Sequence, residues 1–146
     1  MALKKGKKAP DFSLPSTSGS DFKLSENLPC LLYFYPKDFT TGCTKEACEF
    51  RNEFEVFQEN NIDVVGVSVD KISTHHKFKE KYKLPFELLS DKGGKISEIY
   101  DAKIPFIGLP ARVTYFINSE GIIEEVYDNL INAKGHISKM KKKLQQ

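Results

Sequence analysis

Apolar and polar positions alternate along the chain with two different periods. "CLLYFY", beginning at Cys30, is a continuous apolar run of strand length, the pattern of a strand buried on both faces. "IDVVGVSVD", beginning at Ile62, repeats that pattern. Ahead of both, "DFSLPSTSGSDFKLS" reads as two short strands around a Ser/Gly turn. Between the buried strands, residues 44 to 59 read as helix. There Cys43, Ala47, Phe50, Phe54 and Phe57 fall at steps of four and three, one apolar stripe facing the sheet. "STHHKFKEKYK" reads as a second helix capped by Ser73 or Thr74, "FELLSD" as a short strand, and "GGKISEIYD" as a helical turn or two. "RVTYFINSEGIIEEVYD" is a hairpin with its turn near Glu120-Gly121, and "AKGHISKMKKKL" is a closing helix with Ile137, Met140 and Leu144 on one face. Strand–helix–strand order predicts a mainly parallel sheet covered by helices, to which the late hairpin adds antiparallel strands. With no internal repeat and no linker, residues 1–146 are expected to form one domain.

Composition narrows the classes. A net charge of +2 does not by itself suggest a nucleic-acid partner, and 40% hydrophobic residues are enough for a globular core. Three cysteines are too few for a disulfide framework and leave one over, which points to a reducing compartment. "MALKKGKKAP" has lysines without an apolar run behind them, and no stretch approaches the ~20 apolar residues of a membrane helix, so a cytoplasmic protein is expected. The basic runs "KKGKK" and "KMKKK" read as a solvated tail and the polar side of an amphipathic helix.

The candidate chemistry lies in "YPKDFTTGCTKEACEF", residues 35–50. Cys43 heads the apolar stripe at a helix start, where unpaired N–H groups and the positive end of the helix dipole meet. A thiol in such a place is biased toward thiolate. A small buried core residue is the alternative, and position alone does not separate the two. Cys48, five residues on, is rotated about 140° from Cys43 and raised about 7.5 Å along the axis. It leaves the stripe, as an incidental surface cysteine also would. In an intact helix the two Cα atoms stand roughly 8–9 Å apart, beyond the ~7 Å reach of a disulfide. No C-x-x-C pattern and no nearby histidine supports a metal site here.

The same segment resembles the active-site segment of peroxiredoxins, P-x-x-x-T-x-x-C, read here as Pro36, Thr40 and Cys43. The "EAC" that follows resembles the bacterioferritin comigratory protein, or peroxiredoxin Q, subfamily. The similarity extends through "KAPDFSLPSTSG", "LLYFYPKDFT", "PFELLSDKGGKISEIYD" and "GLPARVTYFINSEGII", nearly the whole chain. It implies an α/β, thioredoxin-like fold: a central mixed sheet flanked by helices, with an N-terminal hairpin extension. It also implies roles. Cys43 matches the peroxidatic cysteine and Thr40 the hydroxyl that contacts thiolate and peroxide. Pro36 matches the proline that shields the sulfur from water. Arg112 matches the arginine that favours the thiolate and holds the peroxide oxygens; by itself, an arginine at the end of a strand reads more simply as a surface cation. Backbone N–H groups of Gly42 and Cys43 are further candidate donors. Glu46 matches an acidic position that orients the arginine, although a first-turn glutamate is favourable through the dipole alone. Cys48 matches the resolving cysteine, with a Cys43–Cys48 disulfide that thioredoxin or a similar dithiol protein reopens. The resemblance implies hydrogen peroxide and organic hydroperoxides as substrates, and a monomer without cofactor, metal, nucleic-acid or membrane partner. One departure stands out: the subfamily usually has "TPGCT", and this chain has "TTGCT", so Thr41 replaces a proline that would fix φ.

Other polar and thiol positions read as structural. Cys30, inside "CLLYFY", is expected to be a buried core thiol. His75 and His76 are neighbours on a helix, about 100° apart, and are expected at the surface. Two functional classes follow: a thiol peroxidase, and a non-enzymatic redox sensor or holdase in which the same oxidation exposes a binding surface. The missing C-x-x-C disfavours a thioredoxin-like disulfide reductase.

Overall fold

The computed structural model describes residues 2–104, 109–130 and 132–144. Gly108, which opens the "GLP" segment, lies outside them. Ser13–Pro15 (β1) and Asp21–Lys23 (β2) pair antiparallel as the N-terminal hairpin. Next come Cys30–Phe34 (β3), Thr41–Asn52 (α1), Phe54–Glu59 (α2), Asp63–Ser68 (β4) and Ile72–Tyr82 (α3). Glu87–Ser90 (β5), Lys95–Ile99 (α4), Val113–Ile117 (β6), Ile123–Asp128 (β7) and Ala133–Leu144 (α5) complete the chain. One five-stranded sheet runs in the order β5-β4-β3-β6-β7. β3, β4 and β5 are parallel, and β6 and β7 run antiparallel to their neighbours.

The apolar run at Cys30 is continuous because β3 is the central strand and both its faces are covered. Cys30, Leu32 and Phe34 join the cluster under the N-terminal hairpin and α4. Leu31 and Tyr33 join the cluster under α1, α3 and α5. Cys30 is wholly buried, as its place in the run predicts. On α1 and α2, Cys43, Ala47, Phe50 and Phe57 are buried and Phe54 half-buried, so the stripe packs as its spacing predicts. Fully burying a side chain such as Phe50 stabilises the fold by about 2 kcal/mol.

Three features differ from the sequence pattern. The helix expected over 44–59 starts earlier, at Thr41, and is interrupted at Glu53. There the Val56 N–H donates to the Glu53 carbonyl, a three-residue turn that breaks the α ladder. α3 begins at Ile72 with Lys71 as N-cap, so neither Ser73 nor Thr74 caps it. The third difference concerns a side chain. His76 is exposed, but His75 is wholly buried. It lies three residues before buried Phe78 on the sheet-facing side of α3. Its polar atoms are matched: Nε2 donates to Leu89 O at 2.9 Å, and Nδ1 lies 2.6 Å from Asp38 Oδ2.

Candidate active site

The end of β3 delivers the chain into a loop that is tied down at several points. Tyr35 Oη donates to Asp38 Oδ1 at 2.6 Å, and Asp38 Oδ2 meets His75. The Asp38 N–H donates to Asp70 Oδ2 at 2.8 Å. Asp38, Asp70 and His75 thereby link the loop to α3 and to the end of β4. Phe39 takes a left-handed backbone, φ 65, a conformation that costs a bulky residue about 1–2 kcal/mol. Its ring packs on Phe78, centroids 5.1 Å apart, which holds the turn. Pro36, half-buried, opens this loop.

Thr40 follows in an extended conformation as N-cap of α1. Its carbonyl accepts the Thr44 N–H at 2.9 Å, while its hydroxyl donates to Lys37 O at 2.9 Å rather than capping a helix N–H. Cys43 is only 1% exposed. Arg112 arrives from the start of β6, 69 residues away, and its Nη2 lies 3.3 Å from Cys43 Sγ. The guanidinium is held at two further points: Nη1 donates to Glu46 Oε1 at 2.7 Å, and Nε donates to Leu130 O at 2.9 Å. The surface-cation reading of Arg112 therefore fails, because the side chain is buried among three acceptors. Gly42 makes the approach possible: a Cβ there would stand 2.9 Å from Arg112 Nη2.

Glu46 is wholly buried. Its burial pushes the carboxyl up from 4.5 to about 8, against the pull of Arg112. Burial works against the Arg112 charge too, yet Glu46 and Cys43 hold its proton affinity above the ordinary arginine value. Behind Glu46 stands His136 of α5, which sequence reasoning missed. Its Nδ1 lies 2.7 Å from Thr114 Oγ1 and 3.5 Å from Glu46 Oε2, and its Nε2 donates to Asn129 O at 2.7 Å. Burial pushes this imidazole down to about 4. Its signal was present, since His136 stands beside Ile137 and four residues before Met140 on the apolar face of α5.

Cys43, Gly42, Arg112 and Glu46 are thus in one cluster. Cys48 is not: it is half-buried in the body of α1, and all three cysteines are free. Thr40 borders the cluster with its hydroxyl proton engaged elsewhere. The hollow of about 290 Å³ lined by Ser16, Asp63, Phe86 and neighbours lies where β4 begins, at the other end of the sheet. No cysteine lines it. A thiol at a helix start, touching a guanidinium fixed by a buried carboxyl, sets N–H donors beside the sulfur where an anionic oxygen could be held.

Residues 5–126 match the AhpC/TSA family. Peroxiredoxin Q, chloroplastic, from Oryza sativa subsp. japonica is 40% identical over 146 residues, 98% of this chain and 67% of that protein. The protein of the same name from Sedum lineare is 41% identical over 144 residues, 97% of this chain and 77% of that protein. Among solved structures, peroxidoxin BcpB from Mycobacterium tuberculosis superposes with a TM-score of 0.91 at 33% identity, covering 98% of this chain and 97% of that one. A cysteine-to-serine mutant of PrxQ from Xylella fastidiosa gives 0.88 at 26%, covering 99% and 97%. The fold is thioredoxin-like, its mixed five-stranded sheet flanked by helices as the resemblance implied. With the thiol, guanidinium and carboxylate in place, the chain belongs to the AhpC/TSA family, among the peroxiredoxin Q and bacterioferritin comigratory proteins, and is a peroxidase oxidoreductase.

Proposed function

We propose that this peroxidase reduces hydrogen peroxide and organic hydroperoxides with Cys43 as the reacting thiol and Cys48 as the resolving thiol, and that thioredoxin or a similar dithiol protein recycles it. The observation that carries the reading is Arg112 Nη2 at 3.3 Å from a buried Cys43 Sγ, with the same guanidinium 2.7 Å from Glu46. The Cys43 thiolate attacks one peroxide oxygen. An S–O bond forms and the O–O bond breaks, and the departing oxygen leaves as water or alcohol after taking a proton. Arg112 stabilises the sulfur anion before attack and the charge on the leaving oxygen during it. The Gly42 and Cys43 N–H groups at the helix start add donors, Pro36 keeps water from the sulfur, and Thr40 turns its hydroxyl from Lys37 O toward the peroxide.

Cys48 then condenses with the sulfenic acid and releases water. Because an intact helix holds the Cα atoms roughly 8–9 Å apart, the first turns of α1 must open. Two features of that end support opening: no side chain caps it, and Thr41 stands where a proline would restrict φ. The small, odd number of cysteines supports action in a reducing compartment such as the cytoplasm.

The test is a thioredoxin–reductase–NADPH assay on several peroxides with wild type, Cys43→Ser and Cys48→Ser. Repeated turnover by wild type, none by Cys43→Ser, and a stall at the sulfenic acid in Cys48→Ser is the expected pattern. Consumption that stops after about one equivalent makes the protein a stoichiometric sensor instead. Peptide mapping that links Cys43 to Cys30 or to a second chain removes Cys48 from the mechanism.

A further inference from the structure

One buried cation here serves two acids. Arg112 reaches Glu46 Oε1 through Nη1 and Cys43 Sγ through Nη2. With sulfur and carboxyl both ionised, the buried cluster carries two negative charges against one positive. With one proton added it is neutral, and a neutral cluster is what a water-poor site favours.

The geometry shows where that proton fits. Glu46 Oε2 is buried and has no hydrogen-bond partner. It faces His136 Nδ1 at 3.5 Å. His136 Nε2 lies against the Asn129 carbonyl, which only accepts, so the ring proton is on Nε2 and Nδ1 presents a lone pair. An ionised Glu46 therefore points an oxygen at a ring lone pair. A proton between them turns this opposition into a hydrogen bond. Thr114 Oγ1, 2.7 Å from Nδ1, donates to the bare nitrogen, and a protonated Glu46 Oε2 shares that lone pair with it.

We propose that Glu46 Oε2 and His136 Nδ1 hold one proton between them while Cys43 is a thiolate, with His136 the positioning residue that makes Glu46 the store. The inference rests on Cys43 being the reacting thiol. The balance is one proton: the S–H bond of Cys43 breaks, an O–H bond forms at Glu46, and Arg112 stays charged throughout. Carboxylate and thiolate take turns as the counter-ion of Arg112. The groups facing the pair come from every element around it: Cys43 on α1, Tyr33 on β3, Arg112 and Thr114 at β6, and Tyr127 on β7. Tyr33 stays neutral, because burial raises its pKa well above the ordinary tyrosine value. Tyr127 sets its ring edge-on to His136, centroids 4.6 Å apart. Burial raises the Glu46 pKa and lowers that of His136, in keeping with a single proton resting nearer the oxygen.

The experiment follows the Glu46 carboxyl carbon by NMR in reduced full-length protein labelled with ¹³C-glutamate, its resonance assigned by its loss in Glu46→Gln. At neutral pH the wild-type resonance is expected at the position of a protonated carboxyl. It should move to the carboxylate position once Cys43 is alkylated or replaced by Ser. Iodoacetamide capture of Cys43 supplies a second readout with opposite signs. His136→Leu should slow capture several-fold at neutral pH, because Glu46 then stays ionised and keeps Arg112. Glu46→Gln should speed capture and extend it to lower pH. A purely structural role would move both variants the same way, and that outcome overturns the proposal. So does a carboxylate resonance in reduced wild type at a pH where Cys43 is captured rapidly; that result leaves the role of Cys43 intact. Peroxide turnover by Cys43→Ser instead overturns Cys43 as the reacting thiol, whatever the Glu46 resonance shows.

Discussion

Gly42 has no side chain, and the site depends on that. A Cβ there would meet Arg112 Nη2 at 2.9 Å. The tip of a free arginine would yield at little cost, but this guanidinium is fixed by Glu46, Leu130 O and Cys43 Sγ and cannot move without loosening one of them. A hydrogen bond to a charged group is worth about 1.5–3 kcal/mol, so Gly42→Ala should lower kcat/KM for peroxide by roughly 10- to 100-fold. Rapid-mixing kinetics with hydrogen peroxide checks this, and an unchanged rate would show that Arg112 has room to spare. Such a residue is hard to find in sequence. "TTGCT" displays the glycine, but the crowding comes from a side chain that folding brings in from β6.

α1 carries both catalytic proposals, and its two ends differ. Its body is anchored by Ala47 and Phe50, both wholly buried, whereas Thr40 to Gly42 are exposed. Opening the first turns breaks a few helical hydrogen bonds, each worth about 1 kcal/mol net. Hydrogen exchange should therefore show protection over residues 44–50 falling sharply in the Cys43–Cys48 disulfide form, while residues 64–68 of the central sheet stay protected. Equal protection in both forms would mean that α1 does not unwind. α3 holds the loop that precedes α1. His75→Ala would leave the Asp38 carboxyl buried without its principal partner, and losing one member of such a pair costs about 3–5 kcal/mol. A urea melt that shows less than about 1 kcal/mol lost would mean that the pair does not hold the loop. At this scale the sequence was legible in part. The stripe from Cys43 to Phe57 was readable, as was the hairpin at Gly121, where φ is +80. His75 was not, because Asp38 lies 37 residues away and no local spacing announces the pair.

For the molecule as a whole, the buried acid and base give stability a particular pH dependence. Glu46 is pushed from 4.5 to about 8, so between those values the folded protein binds a proton that the unfolded chain releases. Its contribution therefore falls as pH rises from about 4.5 to about 8. His136 is pushed from 6.5 to about 4, so its contribution falls as pH drops from about 6.5 to about 4. The two oppose each other below about 6.5, and above it Glu46 is the one of the two that still contributes. Unfolding free energies of wild type and Glu46→Gln, compared from pH 6.5 to 8, should show wild type losing stability relative to Glu46→Gln as pH rises. Parallel curves would place Glu46 in an ordinary ionised state throughout.

The sequence by itself determined the strand–helix alternation, the central buried strand, the apolar stripe of α1 and the motif Pro36, Thr40, Cys43. These are properties of neighbouring residues, set by a period of two or 3.6 and by what a helix start does to a thiol. The resemblance supplied Arg112 and Glu46, which composition and spacing left as a surface cation and a dipole partner. The tertiary structure decided the rest. It bent the Arg112 guanidinium between Cys43 and Glu46, with separations of 69 and 66 residues. It turned the Thr40 hydroxyl to Lys37 O, and it set His136 behind Glu46. Burial gives these groups their chemistry by stripping water from charges, and only the packing of α1, β6 and α5 against one another determines which charges lose it.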